Sequence, residues 1–501
     1  MTSSVVTPAS HSGEDAAERR SGRLRALVRE HAWELGVWAA MVGWSVVLFL
    51  VVRDHYLSFR LGRYDLGNMV QAVWSTSEGR FLESTNGATG EQASRLASHV
   101  DPILAALAPL WIIAPTPLTL VAVQIVAVSL GTLPVFWLAR RRLESERVAA
   151  VLAAAYLAYP WVAWTAVDVF HPVTLAIPLF LFAIWFLDSD RLLPFAVCAV
   201  LVGACGELMA VGVAGLGVWY ALARGRRRAG FAIALAGGAW VVIAFAVIVP
   251  AFAEGSSVFY GAYDDVGGSP GGILETAATD PLVVLRQLLT WNDVLYLFLL
   301  AAPLGGLFVL APGLAAVAVP QLSANLLAGW DATTDPRAHY VAGVLPFLLA
   351  AVAVGLARLR PTGRMRGALL VLTLSAVSAV MVGPWPGAVA GTPTFYRTDS
   401  SPEVLASLER AVAHVPPDAP VTTTNRIGAH LAARRYLYSA PVLGRAEWVV
   451  LDRSDTWVPR AWGGGPDPDA IEGLWKRLDR DRAWRLVYEA GDVVVFRKDV
   501  S

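Results

Sequence analysis

The chain has 501 residues, 56% of them hydrophobic and 16% charged, with a mean hydropathy of +0.53. A soluble globular domain carries about 25% charged residues, so this composition excludes an ordinary water-soluble protein and points to a polytopic membrane protein. Forty Lys and Arg balance forty Asp and Glu, which argues against a nucleic-acid partner, and two cysteines exclude a disulfide-rich secreted scaffold.

Residues 1–32 are polar, carry Arg19, Arg20, Arg23, Arg25 and Arg29, and are expected to form a disordered cytoplasmic arm. The first apolar run, near 33–52, is long and no clear small-x-small cleavage site follows it, so it reads as an uncleaved anchor rather than a signal peptide. A transmembrane helix needs about 20 apolar residues. Further runs of that order lie near 117–138, 147–165, 172–187, 229–252, 339–358 and 367–388. The stretches 191–223 and 293–326 exceed one span and are expected to fold into two short helices each, turning at Gly206-Glu207 and near Pro312. Cys198 and Cys205 fall in one predicted helix, about 10.5 Å apart along its axis. That is too far for a disulfide, so both read as core residues.

The expectation is about eleven spans. Basic loops stay cytoplasmic. With the N-terminus inside, the clusters Arg140–Arg142, Arg224 with Arg226–Arg228, and Arg358, Arg360, Arg364 and Arg366 all fall inside, and the C-terminus falls outside. The last 101 residues hold 28 charged side chains against 52 in the preceding 400, the density of a soluble domain. Three parts follow: the arm 1–32, a multi-span domain 33–390 with an outer loop 53–116, and an extracytoplasmic α/β domain 391–501. In the last, helices are expected at 402–415, 427–435 and 470–482, the second leading to Tyr436-Leu437-Tyr438, with strands at 421–424 and 448–451, a flexible loop at 463–469, and a terminal hairpin at 484–488 and 493–497.

Leu66, Met69, Val70 and Val73 recur at helical spacing in the outer loop, predicting an interfacial helix from Asp65 to Trp74 that closes at Gly79. A second short apolar segment runs from Asp101 to Ile113, with Asp101 placed as N-cap and Pro102 at the first helical position. Polar side chains gather on this same face: Arg63, Asp65, Arg95, His99, Asp101, Asp168, His171, Glu207, Asp264, Asp265, Asn325, Asp331, Asp335, Arg337, His339 and Tyr340. Ionisable groups at a membrane boundary are expensive unless paired or functional. Glu207 is the only acidic or basic residue between Arg191 and Arg224; it lines a cavity, pairs with a cation, or sits in water. Asp65 and Asp101 have a plainer reading as helix caps, and His171 as an interfacial residue before Pro172. No zinc-protease motif, phosphate-cradling glycine loop or nucleophile-elbow serine is present.

Tyr64-Asp65-Leu66-Gly67-Asn68 with Gln71 and Trp74, then Leu96, His99, Asp101-Pro102, Pro109 and Gln124, form a distinctive series. It continues through Phe170-His171-Pro172, Gly206-Glu207, Asn325 and His339-Tyr340 to Asn425-Arg426-Ile427-Gly428-Ala429-His430-Leu431 and Trp448–Asp452. The series resembles the bacterial membrane family called domain of unknown function 2079, over roughly residues 40–455. The family's layout in turn resembles the GT-C glycosyltransferase superfamily, whose members transfer sugars from polyprenyl-phosphate carriers at the outer face. That resemblance implies Asp65 as the general base. It further implies Arg63, Arg337 and His339 as ligands of the leaving phosphate, with His99, Asp101, Asp168, His171, Glu207, Asn325 and Tyr340 lining the cavity. A divalent metal stays open.

The implied partners are membrane lipid, a polyprenyl-phosphate-linked sugar and an envelope glycan, lipid or protein acceptor. Asn425 and His430 either touch an acceptor or belong to a capped turn. A lipid or solute transporter and a non-catalytic scaffold or sensor are the alternative functions. The chain has two lysines, Lys476 and Lys498, beside abundant Arg and Ala, the usage of a GC-rich bacterial genome.

Overall fold

A computed structural model describes residues 31–253, 258–390, 400–460 and 463–499. The expected arm at 1–32 lies almost wholly outside the described residues, as does the start of the outer domain at 391–399.

Apolar composition without a polar stripe produces long helices that turn large side chains outward. In Ala32–Leu57 the exposed set includes Trp33, Leu35, Val42, Val46, Val47 and Leu50; in Arg227–Phe252 it includes Phe231, Leu235, Val242 and Val247. Water would penalise such surfaces, whereas lipid does not. Among the described residues, four helices are long and apolar enough to cross a membrane: Ala32–Leu57, Leu118–Leu143, Arg227–Phe252 and Pro361–Val382. Two bent pairs, Glu146–Ala158 with Pro160–Val167 and Pro281–Leu288 with Trp291–Leu304, raise the number to six. The other expected positions hold shorter helices: Pro172–Asp188, Leu192–Gly203, Met209–Ala223, Pro312–Leu327 and Leu345–Leu356. Helix thus stands at every expected span, but by length alone the number is four to six rather than eleven.

The turn at Gly206-Glu207 falls where the sequence places it. The other break comes earlier than Pro312, at Gly305 and Gly306. Both have positive φ (58° and 67°), a consecutive left-handed pair that glycine adopts without strain. Pro312 opens the next helix at a first-turn position, where its missing N–H costs nothing.

In the outer loop a π-turn, Arg63–Gly67, runs into the helix Asn68–Ser77, and Gly79 ends it at φ +79°. A short antiparallel hairpin follows, β1 (Glu83–Thr85) with β2 (Gln92–Ser94), which hydropathy did not signal. The segment Pro102–Ile113 is helical as expected, but the Asp101 side chain does not cap it; the carboxylate turns to Arg95 instead.

The outer domain is a five-stranded sheet in the order β4-β3-β5-β9-β8, from Val421–Thr423 (β3), Leu437–Ser439 (β4), Trp448–Asp452 (β5), Trp484–Ala490 (β8) and Val493–Lys498 (β9). The β3–β4 and β3–β5 pairs are parallel, and β5–β9 and β8–β9 antiparallel. Period-two alternation gives the sheet two apolar faces. Val449, Leu451, Val494 and Phe496 pack with Leu474 and Leu478 of the helix Pro468–Arg480. Val450, Val493 and Val495, with Leu408 of the helix Pro402–Ala413, join a core continuous with that of the membrane helices. The glycine-rich stretch expected as loop pairs instead as Trp457–Pro459 (β6) with Gly464–Pro466 (β7).

Candidate active site

The Asp65 turn is the first structure after the long helix Ala32–Leu57. Its carboxylate Oδ1 lies 3.7 Å from His171 Nε2. Forty per cent of that side chain is accessible although protein surrounds it on nearly every side, so it faces a recess rather than open solution. His171 is aimed by its other nitrogen: Nδ1–H donates to the Val169 carbonyl at 2.7 Å, leaving Nε2 toward Asp65. The His339 ring stacks on His171, centroids 3.6 Å apart and 17° from parallel, with Nδ1 3.6 Å from Asp168 Oδ2. The Tyr340 ring lies 4.3 Å from that of His339.

One buried amide shapes this group. Gln124, in the helix Leu118–Leu130, donates to the Thr165 and Asp168 carbonyls at 3.2 and 2.7 Å. Its Oε1 accepts from the His171 backbone N–H and the Thr174 hydroxyl, both at 2.9 Å. The 168–174 turn is therefore fitted around Gln124, which sequence reading named in a motif but gave no task.

Protonation follows from these neighbours. Burial works to raise the Asp65 carboxyl, but the hydrogen bond and charge of His171, with His339 and Arg95 behind it, outweigh burial and hold it below the usual carboxylate range. Burial depresses His171, yet Asp65 and Asp168 win and lift it above an ordinary histidine. His339 is pushed down to about 4, by burial first and by His171 second. The pair thus favours the ionised form of Asp65 and the protonated form of His171, while His339 is held toward its neutral form.

Asp168, His171 and His339 each offer a ligand atom, all within 4.8 Å of one another. A metal needs lone pairs converging at about 2.0–2.1 Å for nitrogen. These three are the residues that would hold such an ion, with the His171 and His339 rings stacked beside one another.

A second polar cluster fastens the outer loop to the 204–208 turn. Arg95 Nε meets Asp101 Oδ2 at 2.7 Å, His99 Nδ1 lies 3.3 Å from Glu207 Oε1, and the Val100 N–H donates to Glu207 Oε2 at 2.9 Å. The Ile103 N–H completes the clip at the Ala204 carbonyl, 3.0 Å away. Of the three readings open for Glu207, the pairing one fits: the residue is 7% exposed, and His99 with the Val100 amide keeps its carboxyl low against burial. Asp101 goes the other way, raised by burial and by Glu207 against the pull of Arg95 and His99.

Other expected residues sit elsewhere. Arg63 is completely buried, its guanidinium spent on the Thr85 and Leu437 carbonyls (2.6 and 2.9 Å) and on Asn68 Oδ1 (2.8 Å), so a phosphate contact is not open to it. Asn325 is buried, donating to the Tyr296 hydroxyl and the Tyr340 carbonyl at 3.0 and 3.1 Å, and thus holds the segment that carries Tyr340. Arg337 is exposed and forks onto Asp335, with its guanidinium 6.0 Å from the Trp164 ring. Arg95, which the sequence gave no specific role, is the arginine whose charge reaches Asp65.

The sequence matches the family described as "Predicted membrane protein (DUF2079)" over residues 55–495. The chain belongs to that family. The DUF2079 resemblance carried by the motifs is thereby established, and with it the membrane character of the chain. A comparison with curated proteins gives no match. Among solved structures, ArnT from Cupriavidus metallidurans in the apo state is similar, at TM-score 0.50 and 14% identity, covering 91% of this chain and 98% of that one. The same protein bound to undecaprenyl phosphate is similar at TM-score 0.50 and 13% identity, covering 92% and 98%. At such identity the likeness is one of fold alone.

Proposed function

We propose that this DUF2079 protein is a GT-C-type glycosyltransferase that moves a sugar from a polyprenyl-phosphate carrier to an envelope acceptor at the outer membrane face. The observation that carries the reading is Asp65: an accessible carboxylate on the first outer turn, kept ionised by His171, in a fold like that of ArnT. The ArnT structure with undecaprenyl phosphate supports the lipid class of the donor. In this reading Asp65 takes the proton of the acceptor hydroxyl while its oxygen attacks the anomeric carbon. The bond from that carbon to the phosphate oxygen breaks, polyprenyl phosphate leaves with the electron pair, and the anomeric configuration inverts. Negative charge growing on the phosphate calls for cations and donors. Arg337 and Arg95 fill the cationic role in place of Arg63, neutral His339 gives a hydrogen bond, and Asp168 and Tyr340 orient sugar hydroxyls. His99, Asp101 and Glu207 keep the loop closed over the recess, and no step requires a metal.

The same reading assigns eleven membrane segments, a cytoplasmic N-terminus and an extracytoplasmic outer domain, with the boundaries 33–390 and 391–501. Reconstituted protein with a labelled polyprenyl-phosphate sugar tests it. Asp65→Asn is expected to lower transfer about 10²–10⁴-fold, with donor binding and melting temperature kept. Normal product formation by that variant would sink the mechanism.

A further inference from the structure

The motif Asn425-Arg426-Ile427-Gly428-Ala429-His430-Leu431 lies about 360 residues beyond Asp65, yet it touches the Asp65 turn throughout. Asn425 Oδ1 accepts the Tyr64 backbone N–H at 2.9 Å. A Cβ on Gly62 would stand 2.5 Å from Asn425 Nδ2, and one on Gly428 would run into the Arg63 side chain, so each segment packs a side chain directly onto a glycine of the other. Buried Arg63 ties its own turn to β1 and β4 through the Thr85 and Leu437 carbonyls. Gln71 Nε2 donates to the Arg434 and Arg435 carbonyls, both at 2.9 Å. His430 is sandwiched between Tyr56 and Phe59, ring centroids 4.2 and 3.9 Å away, with Nε2 at the Tyr56 carbonyl. Trp457 of β6 rests on Tyr64 at 4.9 Å.

We infer that the outer domain is a positioning part of the active site: its Asn425–Gly428 turn holds the backbone of the Asp65 turn and thereby sets where the carboxylate stands against His171. This inference rests on Asp65 as the base. The membrane helices supply the partner of the carboxylate, and the outer domain supplies the grip on its main chain. Neither part alone fixes the separation between Asp65 and His171, and misplacement by about 1 Å costs on the order of 100-fold in rate. Asn425 and Gly428 are positioning residues; neither touches the reacting atoms.

The test uses the full-length protein in nanodiscs with three variants. Asn425→Ala removes the acceptor for the Tyr64 N–H, and Asn425→Asp keeps an oxygen there. Gly428→Ala leaves all those hydrogen-bonding groups in place and pushes on the Arg63 side chain and the Thr423 hydroxyl. Expected are a kcat about 10–100-fold lower for Asn425→Ala, unchanged KM for donor and acceptor, substantial recovery in Asn425→Asp, and an intermediate loss in Gly428→Ala. Amide hydrogen exchange supplies a reading independent of turnover. The Tyr64 amide should lose protection in Asn425→Ala and keep it in Asn425→Asp, while 118–143 and 448–452 stay protected in both. An Asn425→Ala protein that frees the Tyr64 amide yet keeps its kcat would overturn the inference. So would a loss of kcat accompanied by unprotected helices and strands, with Gly428→Ala fully active. Wild-type protein that transfers no sugar would remove the base itself, a failure visible before any variant is made.

Discussion

Asp65 and His171 stand 3.7 Å apart, and each holds the other in its charged form against burial. The consequence for pH is directional. With the pair intact, the Asp65 carboxylate survives to lower pH than an ordinary aspartate, so the acid limb of kcat/KM lies low and activity is lost as pH falls through that depressed value. His171→Asn removes the hydrogen bond and charge but leaves the desolvation, which raises a carboxyl. The acid limb should then move upward, with less loss of rate well above it. A pH–rate profile of the two proteins reads this directly; an acid limb that stays in place would separate Asp65 from the ionisation that controls turnover.

At the scale of elements, the site depends on how one helix presents a single amide to a turn. Gln124→Leu keeps the volume of that side chain but takes the Gln124 partner from two carbonyls and the His171 N–H, while the Thr174 hydroxyl keeps its bond to the His171 carbonyl. Each buried polar group left without a partner costs about 1–3 kcal/mol, and part of that returns as the turn relaxes. Thermal unfolding in detergent should report a loss of about 3 kcal/mol and a transfer rate reduced through displacement of His171. An unchanged melting temperature would mean that the 168–174 turn holds its shape without Gln124. Helix positions, the Gly206-Glu207 turn and the outer-domain strands were legible in the sequence because hydropathy and periodicity are local. The partners of Gln124, Arg63 and Asp101 were not. Arg63 looked like a phosphate ligand because nothing nearby in sequence announces Leu437, the carbonyl that buries it. Asp101 looked like a cap because Pro102 follows, but Arg95 offers a charge-assisted bond stronger than a cap N–H does. The break at Gly305-Gly306 was shadowed by Pro312, whose signal is strong even where it merely opens a helix.

Across the membrane domain, arginines of several separate loops meet at the end where the first helix begins, and the Asp65 turn follows the end of that helix. Arg140 pairs with Glu34 near the start of the first helix, Arg141 and Arg142 with buried Asp188, and Arg226 with Asp190. Arg224 joins at the Asp188 carbonyl and Arg364 at the Leu143 carbonyl. Four loops far apart in sequence therefore share one end, and the topology proposed above, by the rule that basic loops stay inside, makes that end the cytoplasmic one. Short helices fit this frame where protein covers their ends. Leu345–Leu356 has 12 residues, about 18 Å of rise, too little to cross alone. It is buried almost throughout, and the 3₁₀ turn His339–Gly343 carries the chain onward beside it toward the recess. Non-helical backbone survives at membrane depth only when buried in this way. Single-cysteine labelling of a protein with Cys198 and Cys205 replaced checks the orientation. Both are buried, so neither should react with a membrane-impermeant maleimide in any case. In sealed, right-side-out vesicles a Glu489→Cys protein, altered on the exposed face of β8, should label without permeabilisation. Arg227→Cys, in the basic cluster, should label only after it. The reverse pattern would put the Asp65 recess in the cytoplasm, where a sugar donor displayed on the outer leaflet could not reach it, and the proposed transfer would fall together with the topology.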